Sequence, residues 1–147
     1  MNISIATEST IEALCDLLNL LFTQEADFVS DREKQRMGLK EIIVHPEIGE
    51  IFILKKDDTI VGMVSLLYSI STALGGRVAT LEDMILHPNH RSQGAGTFLL
   101  AHAIGHAKEV QCKRITLLTD KDNEEAINFY KKQGFVTSGM IPLRLVF

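Results

Sequence analysis

Apolar residues recur at helical spacing in some stretches of this chain and form strand-like runs in others. A short strand is predicted over Ile3 to Ala6, and a helix follows it. Ser9 and Glu12 have the spacing of a capping box at the start of that helix. Its apolar face consists of Ile11, Leu14, Cys15, Leu18, Leu21 and Phe22. A second helix is predicted from Arg32 to about Ile43.

Three apolar runs in the middle of the chain predict three neighbouring strands. The runs are Glu50 to Lys55, Ile60 to Ser71 and Arg77 to Leu86. Lys56-Asp57-Asp58-Thr59 separates the first two, and Gly75-Gly76 precedes the third, which is turn chemistry in both places. Consecutive strands joined by tight turns form an antiparallel meander.

The C-terminal half of the chain predicts a different order of elements, in which helices and strands alternate. A largely apolar helix is expected over Thr97 to Val110, a strand over Arg114 to Thr119, and a helix over Asn123 to Gln133. The apolar helix should pack on the sheet. The tail from Phe135 to Phe147 is expected to supply a last strand or pair of strands.

Composition limits the classes of function. With 147 residues and 46% hydrophobic residues, the chain can bury one core and is predicted to be one domain. Its formal charge of −4 and the lack of a Lys/Arg stripe argue against nucleic-acid binding, while permitting a cationic partner. The longest apolar run, Leu17 to Phe22, is too short for a membrane span, and no signal core follows a basic segment, so a cytoplasmic location is expected. Cys15 and Cys112 lack CxxC spacing and are predicted to be small buried hydrophobes.

The segment LEDMILHPNHRSQGAGTFLL, which begins at Leu81, predicts a strand, a glycine loop and a helix in that order. A helix N-terminus offers unpaired N–H groups, and glycines let the backbone approach an anion, so a pyrophosphate would fit there. By itself the pattern Arg-x-x-Gly-x-Gly equally describes a tight turn. The third glycine of a dinucleotide fingerprint and the Gly-Lys-Ser/Thr of a P-loop are both lacking.

At Arg91, Gly94 and Gly96 the loop resembles the central motif of the GNAT N-acetyltransferase family, Arg/Gln-x-x-Gly-x-Gly/Ala. The segment TDKDNEEAINFYKKQGF is similar to a second motif of that family, in which an Asn opens a helix and Ala-x-x-Phe-Tyr and Gly-Phe follow. The resemblance implies a GNAT fold of α/β (α+β) class, with a mixed, mostly antiparallel sheet, helices on both faces and a splayed fourth strand. It covers the single domain, residues 1–147.

Within the family, LED, RSQGAG, Asn123 and INFYKKQGF look most like the small polyamine (diamine) acetyltransferase branch. That branch has more aromatic residues before the LED segment, where this chain has only Tyr68 and no Trp. Amine acetylation is therefore better supported than a polyamine substrate.

The resemblance implies acetyl-CoA as cosubstrate and no metal. Loop N–H groups would hold the pyrophosphate, and the splayed strand would pair with the pantetheine arm. The implied contacts are Met84, Ile85, Leu86, Arg91, Ser92, Gln93, Gly94, Ala95, Gly96 and Thr97. Asn123 and Tyr130 are seven positions apart, on one face of a helix, so both can address one ligand; Asn123 is equally explained as a helix cap.

Catalysis by such an enzyme requires an amine, with a pKa of about 10.4, to lose a proton before it attacks a thioester. Glu82 and Asp83 lie on the strand that should carry the acetyl group, and alternation sends them to opposite faces. The resemblance favours Glu82 as the base or water-positioning group, with Asp83 attracting the cation. A surface carboxylate, or one paired with Arg77, is the alternative.

Departure of the CoA thiolate is easier beside a proton donor, and Tyr130 is the candidate, with a core tyrosine as the alternative. A backbone N–H between Met84 and Leu86 would meet the negative oxygen. His102 and His106 have the spacing of a metal pair but lack a third ligand.

Surface positions are expected for His87 and His90. The acidic residues Glu25, Asp27 and Asp31 fall where GNAT proteins form the acceptor wall, although such a stretch is usually a solvated loop.

These features favour an acetyl-CoA-dependent N-acetyltransferase acting on a small amine, cationic if the acidic residues contribute, by direct attack on the thioester. A non-catalytic CoA-binding module and a peptide or protein N-acetyltransferase remain as alternatives. No nucleic-acid or membrane partner is expected, and the resemblance leaves room for a homodimer.

Overall fold

The computed structural model describes residues 1–22 and 31–147, and it confirms the predicted order of elements up to the last helix. Four helices and five strands, with short 3-10 turns at Glu8–Thr10 and Pro88–His90, make up the described part of the chain. In chain order they are β1 (Asn2–Ile5), α1 (Ile11–Phe22), α2 (Arg32–Ile43), β2 (Gly49–Lys56), β3 (Thr59–Ser71), β4 (Gly76–Leu86), α3 (Ala95–Glu109), β5 (Ile115–Leu117) and α4 (Glu124–Lys132).

The strands form one sheet in the order β1-β2-β3-β4-β5. The first four are antiparallel to their neighbours, whereas β5 is parallel to β4. This arrangement confirms the mixed, mostly antiparallel sheet. Strand β5 can lie parallel to β4 because the helix between them, α3, carries the chain from the end of β4 back to the start of β5.

Helices cover both faces of the sheet, as predicted, and each face has its own apolar core. On one side α3 packs through residues such as Leu99 and Leu100 against Phe52 of β2. On the other side, residues such as Leu14 of α1 pack against Ile53 of β2. Strand alternation explains the division, since consecutive residues of β2 point to opposite faces.

The start of α1 differs from the predicted capping box. The N–H of Thr7 instead bonds to Oγ1 of Thr10, at 3.1 Å. Glu12 does not cap the helix but accepts hydrogen bonds from Arg32 and Arg36 of α2, at 2.9 and 2.6 Å. These two guanidinium groups lower the pKa of Glu12 to about 2. The ion pairs join α1 to α2, which sequence spacing did not indicate.

Of the acidic stretch predicted to line the acceptor, Glu25 and Asp27 lie outside the described residues. Asp31 caps α2 by accepting the N–H of Lys34, at 3.1 Å. The cysteines are both free thiols, Cys15 fully buried and Cys112 partly buried. No helix in the described ranges is long and apolar enough to cross a membrane.

The tail beyond Phe135 forms no strand, so the prediction of a last strand or pair is wrong for the isolated chain. A strand requires a neighbour that pairs with its N–H and C=O groups, and the tail runs through solvent instead. Its large apolar residues are all at least 80% exposed, as at Leu143 and Phe147. The preceding strand, β5, is also shorter than predicted.

Candidate active site

Strand β4 carries the candidate site because it parts from β5 midway along its length. The two strands pair only from Ala79 to Leu81, whereas β4 continues to Leu86. From Glu82 onward, the edge of β4 that faces β5 pairs with no strand in the described ranges. The fourth strand is therefore splayed, as predicted, and its peptide groups can pair with an extended ligand.

A β-bulge lies in the same stretch of β4. Between the paired positions Glu82 and Ile85, two residues of β4 face the single residue Val64 of β3. Asp83 in the bulge has a φ of 51°, in the left-handed region that few residues other than glycine adopt. The bulge interrupts strict alternation, so alternation alone no longer determines on which faces of the sheet Glu82 and Asp83 lie.

The glycine loop follows β4 after the short 3-10 turn Pro88–His90, and it ends at the N-terminus of α3. Gly94 is the N-cap residue, with a φ of 79°, and an added Cβ would meet nothing within 4 Å. The N–H groups of residues 95–97 precede the first intrahelical hydrogen bond and point out of the helix. Arg91 connects the loop to the strand, because its Nε donates to the carbonyl of Leu86, at 3.2 Å. The loop therefore offers both space and donors to an anion, which fits a CoA pyrophosphate.

Three elements meet at Gly96. An added Cβ would lie 3.2 Å from the side chain of Leu86 on β4 and 3.4 Å from the ring of Phe129 on α4. The second loop glycine thus allows close packing of these elements, in addition to any anion contact. Phe129 was missed as a site residue, although its place in the Phe-Tyr pair of the second motif was a signal.

The two carboxyl groups of β4 lie in different environments. Glu82 is exposed, whereas Asp83 is partly buried. Burial, with a smaller contribution from the charge of Glu82, raises the pKa of Asp83 from 3.8 to about 6. Asp83 therefore exchanges its proton near neutral pH, as a general base should. Glu82 forms no ion pair with Arg77, which stacks on the ring of Tyr68 at 5.0 Å.

Helix α4 carries Tyr130, next to the Phe129 that contacts Gly96, and Asn123 is the N-cap residue of this helix. Tyr130 packs between the rings of Phe129 and Phe135, with centroids 5.2 and 5.7 Å away. Burial raises the pKa of Tyr130, so its hydroxyl keeps its proton at neutral pH. Asn123 caps α4 by accepting the N–H of Ala126, at 3.1 Å, which confirms the capping interpretation.

The histidines have structural roles. His102 and His106 both pack edge-on against Phe52, and His106 contacts the carboxylate of Glu50. The same carboxylate accepts the hydroxyl of Tyr68, at 2.6 Å. Within residues 1–22 and 31–147, no group of three or more His, Cys, Asp or Glu is placed to hold a metal ion.

His87 and His90 are partly buried and partly exposed. Nδ1 of His87 accepts the N–H of Asn89, at 3.2 Å, which caps the turn between β4 and the glycine loop.

Comparison with known proteins gives consistent matches. Residues 11–135 match the family described as Acetyltransferase (GNAT) family. An uncharacterized N-acetyltransferase of Bacillus subtilis, YhfO, is 29% identical over 137 residues, which are 92% of this chain and 89% of the relative.

Two solved structures extend the comparison to the fold. The crystal structure of a probable acetyltransferase superposes with a TM-score of 0.86 and 27% identity, over 100% of this chain and 98% of that one. A Clostridium acetobutylicum protein described as a predicted acetyltransferase with acetyl-CoA superposes with a TM-score of 0.79 and 19% identity, covering 97% and 95% of the two chains.

Proposed function

Because this chain belongs to the GNAT acetyltransferase family and is an N-acetyltransferase, we propose that it moves the acetyl group of acetyl-CoA directly to a small amine. The observation that carries the proposal is the end of β4, where an unpaired strand edge and a bulge adjoin an open glycine loop. The Clostridium structure with acetyl-CoA, which has the same fold, supports the choice of cosubstrate.

Cosubstrate binding uses two sets of main-chain groups. The loop from Arg91 to Thr97 surrounds the pyrophosphate with N–H donors at the positive end of α3. The free edge of β4, at Met84, Ile85 and Leu86, pairs with the pantetheine arm as a neighbouring strand would. Of these residues only Met84 and Leu86 have side chains on the α3 side of the sheet, whereas Ile85 lies in the opposite core.

Asp83 is the better candidate for the base, and Glu82 its electrostatic neighbour. This reverses the roles that the family resemblance favours. A carboxylate with a pKa of about 6 is ionised at pH 7.5, yet is basic enough to take a proton from an ammonium group, directly or through water. Glu82 is exposed beside it, and the two charges attract a cationic acceptor. An amine of that kind, which includes polyamines, is the substrate class that these charges fit.

Tyr130 serves as the proton donor to the departing thiolate. The side-chain oxygen of Asn123 caps α4, which leaves its amide N–H groups to donate to the cosubstrate. The raised pKa of Tyr130 supports this role, since only a protonated phenol can donate. A backbone N–H at the bulge stabilises the negative oxygen that develops during attack.

Tyr130→Phe is expected to lower kcat at least about tenfold with little change in acetyl-CoA affinity, because it removes a donor used only in the transition state. The ring is retained, so its packing on Phe129 and Phe135 should persist. Steady-state kinetics and calorimetry measure the two quantities. Unchanged turnover on a good acceptor would make Tyr130 a core residue only.

Glu82→Gln distinguishes the two carboxylates. If Asp83 is the base, loss of the neighbouring charge lowers its pKa, and the acid limb of kcat/KM moves to lower pH by about half a unit with its plateau kept. If Glu82 is the base, activity falls most at low pH. The KM of a cationic acceptor should also lose part of its salt dependence. If the pH profile and the salt dependence are both unaltered, Glu82 is neither the base nor a charge that attracts the acceptor.

The acceptor class is tested by incubating the protein with acetyl-CoA and a panel of polyamines, amino acids, aminoglycosides and peptides, with product detection by mass. Acetylated small amines are the expected products. Acetylated peptides alone would favour the protein N-acetyltransferase alternative. Cosubstrate binding without any product would favour a non-catalytic module.

A further inference from the structure

Helix α4 carries the proposed proton donor, yet its place on the molecule depends on contacts with other elements. The helix has nine residues, and none of them is fully buried. A helix this short is marginal by itself, so tertiary packing sets where it lies. Its aromatic pair, Phe129 and Tyr130, packs against the apolar core on the α3 side of the sheet. The position of Tyr130 therefore depends on what holds this pair.

Phe129 rests against the beginning of α3. A Cβ added at Gly96 would lie 3.4 Å from Cζ and 3.5 Å from Cε1 of the Phe129 ring, so the outer edge of the ring lies over this glycine. The Cβ position points outward from the helix, whereas the N–H of a first-turn residue points along the axis toward the N-terminus. The ring therefore contacts the loop without covering the N–H that would bind the pyrophosphate.

The same ring also orients Tyr130. The two rings have centroids 5.2 Å apart and planes at 64°, which is the edge-to-face arrangement that aromatic pairs prefer. Phe135 packs on Tyr130 in a similar way, with centroids 5.7 Å apart. Because Phe129 also contacts Gly96, it connects the glycine loop to the phenol.

We propose that Phe129 is a positioning residue, which braces α4 against the loop at Gly96 and so fixes the Tyr130 phenol relative to the thioester of acetyl-CoA. The inference rests on the proposed function, since the loop must bind acetyl-CoA and Tyr130 must donate the proton. Phe129 itself transfers no proton. Its contribution is geometric, because misplacing a reacting group by about 1 Å can lower a rate about 100-fold.

Phe129→Leu removes the ring atoms that lie over Gly96 and keeps an apolar side chain. It is expected to lower kcat at least about tenfold, while the Kd of acetyl-CoA changes less than about threefold because the loop N–H groups remain. Phe98→Leu is the matched control, since Phe98 is also in the first turns of α3 but is 48% exposed. The control should keep parental kcat and affinity. Thermal unfolding checks that both variants are folded, and parental kcat in folded Phe129→Leu would overturn the inference.

Gly96→Ala tests the contact from the other side. The new Cβ would lie 3.2 Å from the side chain of Leu86 and 3.4 Å from the Phe129 ring, so the ring must move and kcat should fall. Phe129→Leu removes the atoms that the Cβ meets. The double variant should therefore lose less kcat than the product of the two single losses. If the two losses simply multiply, the contact between Phe129 and Gly96 does not carry the effect.

The Tyr130→Phe background shows whether Phe129 acts through the phenol. With no phenol left to position, adding Phe129→Leu should lower kcat less than about twofold. A loss as large as in the parent background would overturn the inference. Failure of the proposed function has a different signature, because the parent then acetylates no amine, or Tyr130→Phe keeps parental kcat, and either result removes this inference as well. Where the parent is active and Tyr130→Phe is impaired, parental kcat in Phe129→Leu refutes the positioning role alone.

Discussion

Asp83→Asn is expected to lower kcat/KM at pH 7.5 at least about 100-fold, because an amide at position 83 cannot accept a proton from the ammonium. Asn tolerates the left-handed φ of 51° at this position, so the bulge should persist. Asp57→Asn is the matched control, since Asp57 has a similar φ of 55° but is exposed in the β2–β3 turn. The control should retain full activity.

The same substitution should stabilise the fold while it removes activity. The folded-state pKa of Asp83, about 6, lies above the usual value of 3.8 for an aspartate, so between these values the folded state binds more protons than the unfolded state. Stability contributed by this group is therefore lost as pH rises from about 4 to 6. At pH 7.5 Asn avoids burying a charge, which is worth at most about 3 kcal/mol.

Thermal unfolding at pH 7.5 and pH 4 measures this effect. Asp83→Asn should raise Tm at pH 7.5 and show a smaller difference at pH 4, whereas Asp57→Asn should change neither. Retained turnover in Asp83→Asn would show that the proton leaves through another group. Equal Tm values at pH 7.5 would contradict the burial of its charge.

Gly94→Glu is expected to weaken acetyl-CoA binding at least about 100-fold, or roughly 2.7 kcal/mol. The side chain would enter the open space beside Gly94 and place a negative charge where the pyrophosphate binds. Some loss of stability is expected as well, because a φ of 79° strains any residue with a Cβ.

Gly75→Glu controls for that strain. Gly75 has a φ of 73°, and an added Cβ there also meets nothing within 4 Å, but the residue lies in the β3–β4 turn at the other end of β4. Calorimetry should therefore show parental affinity for Gly75→Glu and a large loss for Gly94→Glu. If Gly94→Glu folds and binds acetyl-CoA as the parent does, the loop does not bind the pyrophosphate.

Local sequence patterns predicted most of the fold. The β2–β3–β4 meander follows from apolar runs separated by Asp57-Asp58 and Gly75-Gly76, whose turn preferences act over a few residues. The loop from Arg91 to Gly96 was also found from sequence, because a helix beginning after glycines is a local signal. The open space beside Gly94 agrees with that interpretation.

The bulge in β4 could not be predicted, and it changes which carboxylate we propose as the base. Nothing in the letters LED indicates that Asp83 takes a left-handed φ or that it is more buried than Glu82. Both properties depend on how β4 pairs with β3 and parts from β5, which is a tertiary effect. The same is true of Glu12, whose partners Arg32 and Arg36 lie on the next helix.

The C-terminal tail, residues 136–147, shows a different limit of sequence reasoning. Alternation from Ile141 to Phe147 indicates a preference for extended structure, but it does not say whether a neighbouring strand is present to pair with it. One chain alone leaves those residues in solvent.

Transfer of a labelled acetyl group tests the central claim most directly. The parent protein is incubated with acetyl-CoA carrying 13C in the acetyl group and with the best amine acceptor. The masses of the amine and of the intact protein are then measured by mass spectrometry. The label should appear on the amine and not on the protein, at a rate that Asp83→Asn lowers at least about 100-fold and Asp57→Asn does not change. Bound acetyl-CoA with no labelled amine, or label that accumulates on the protein before it reaches the amine, would contradict direct transfer.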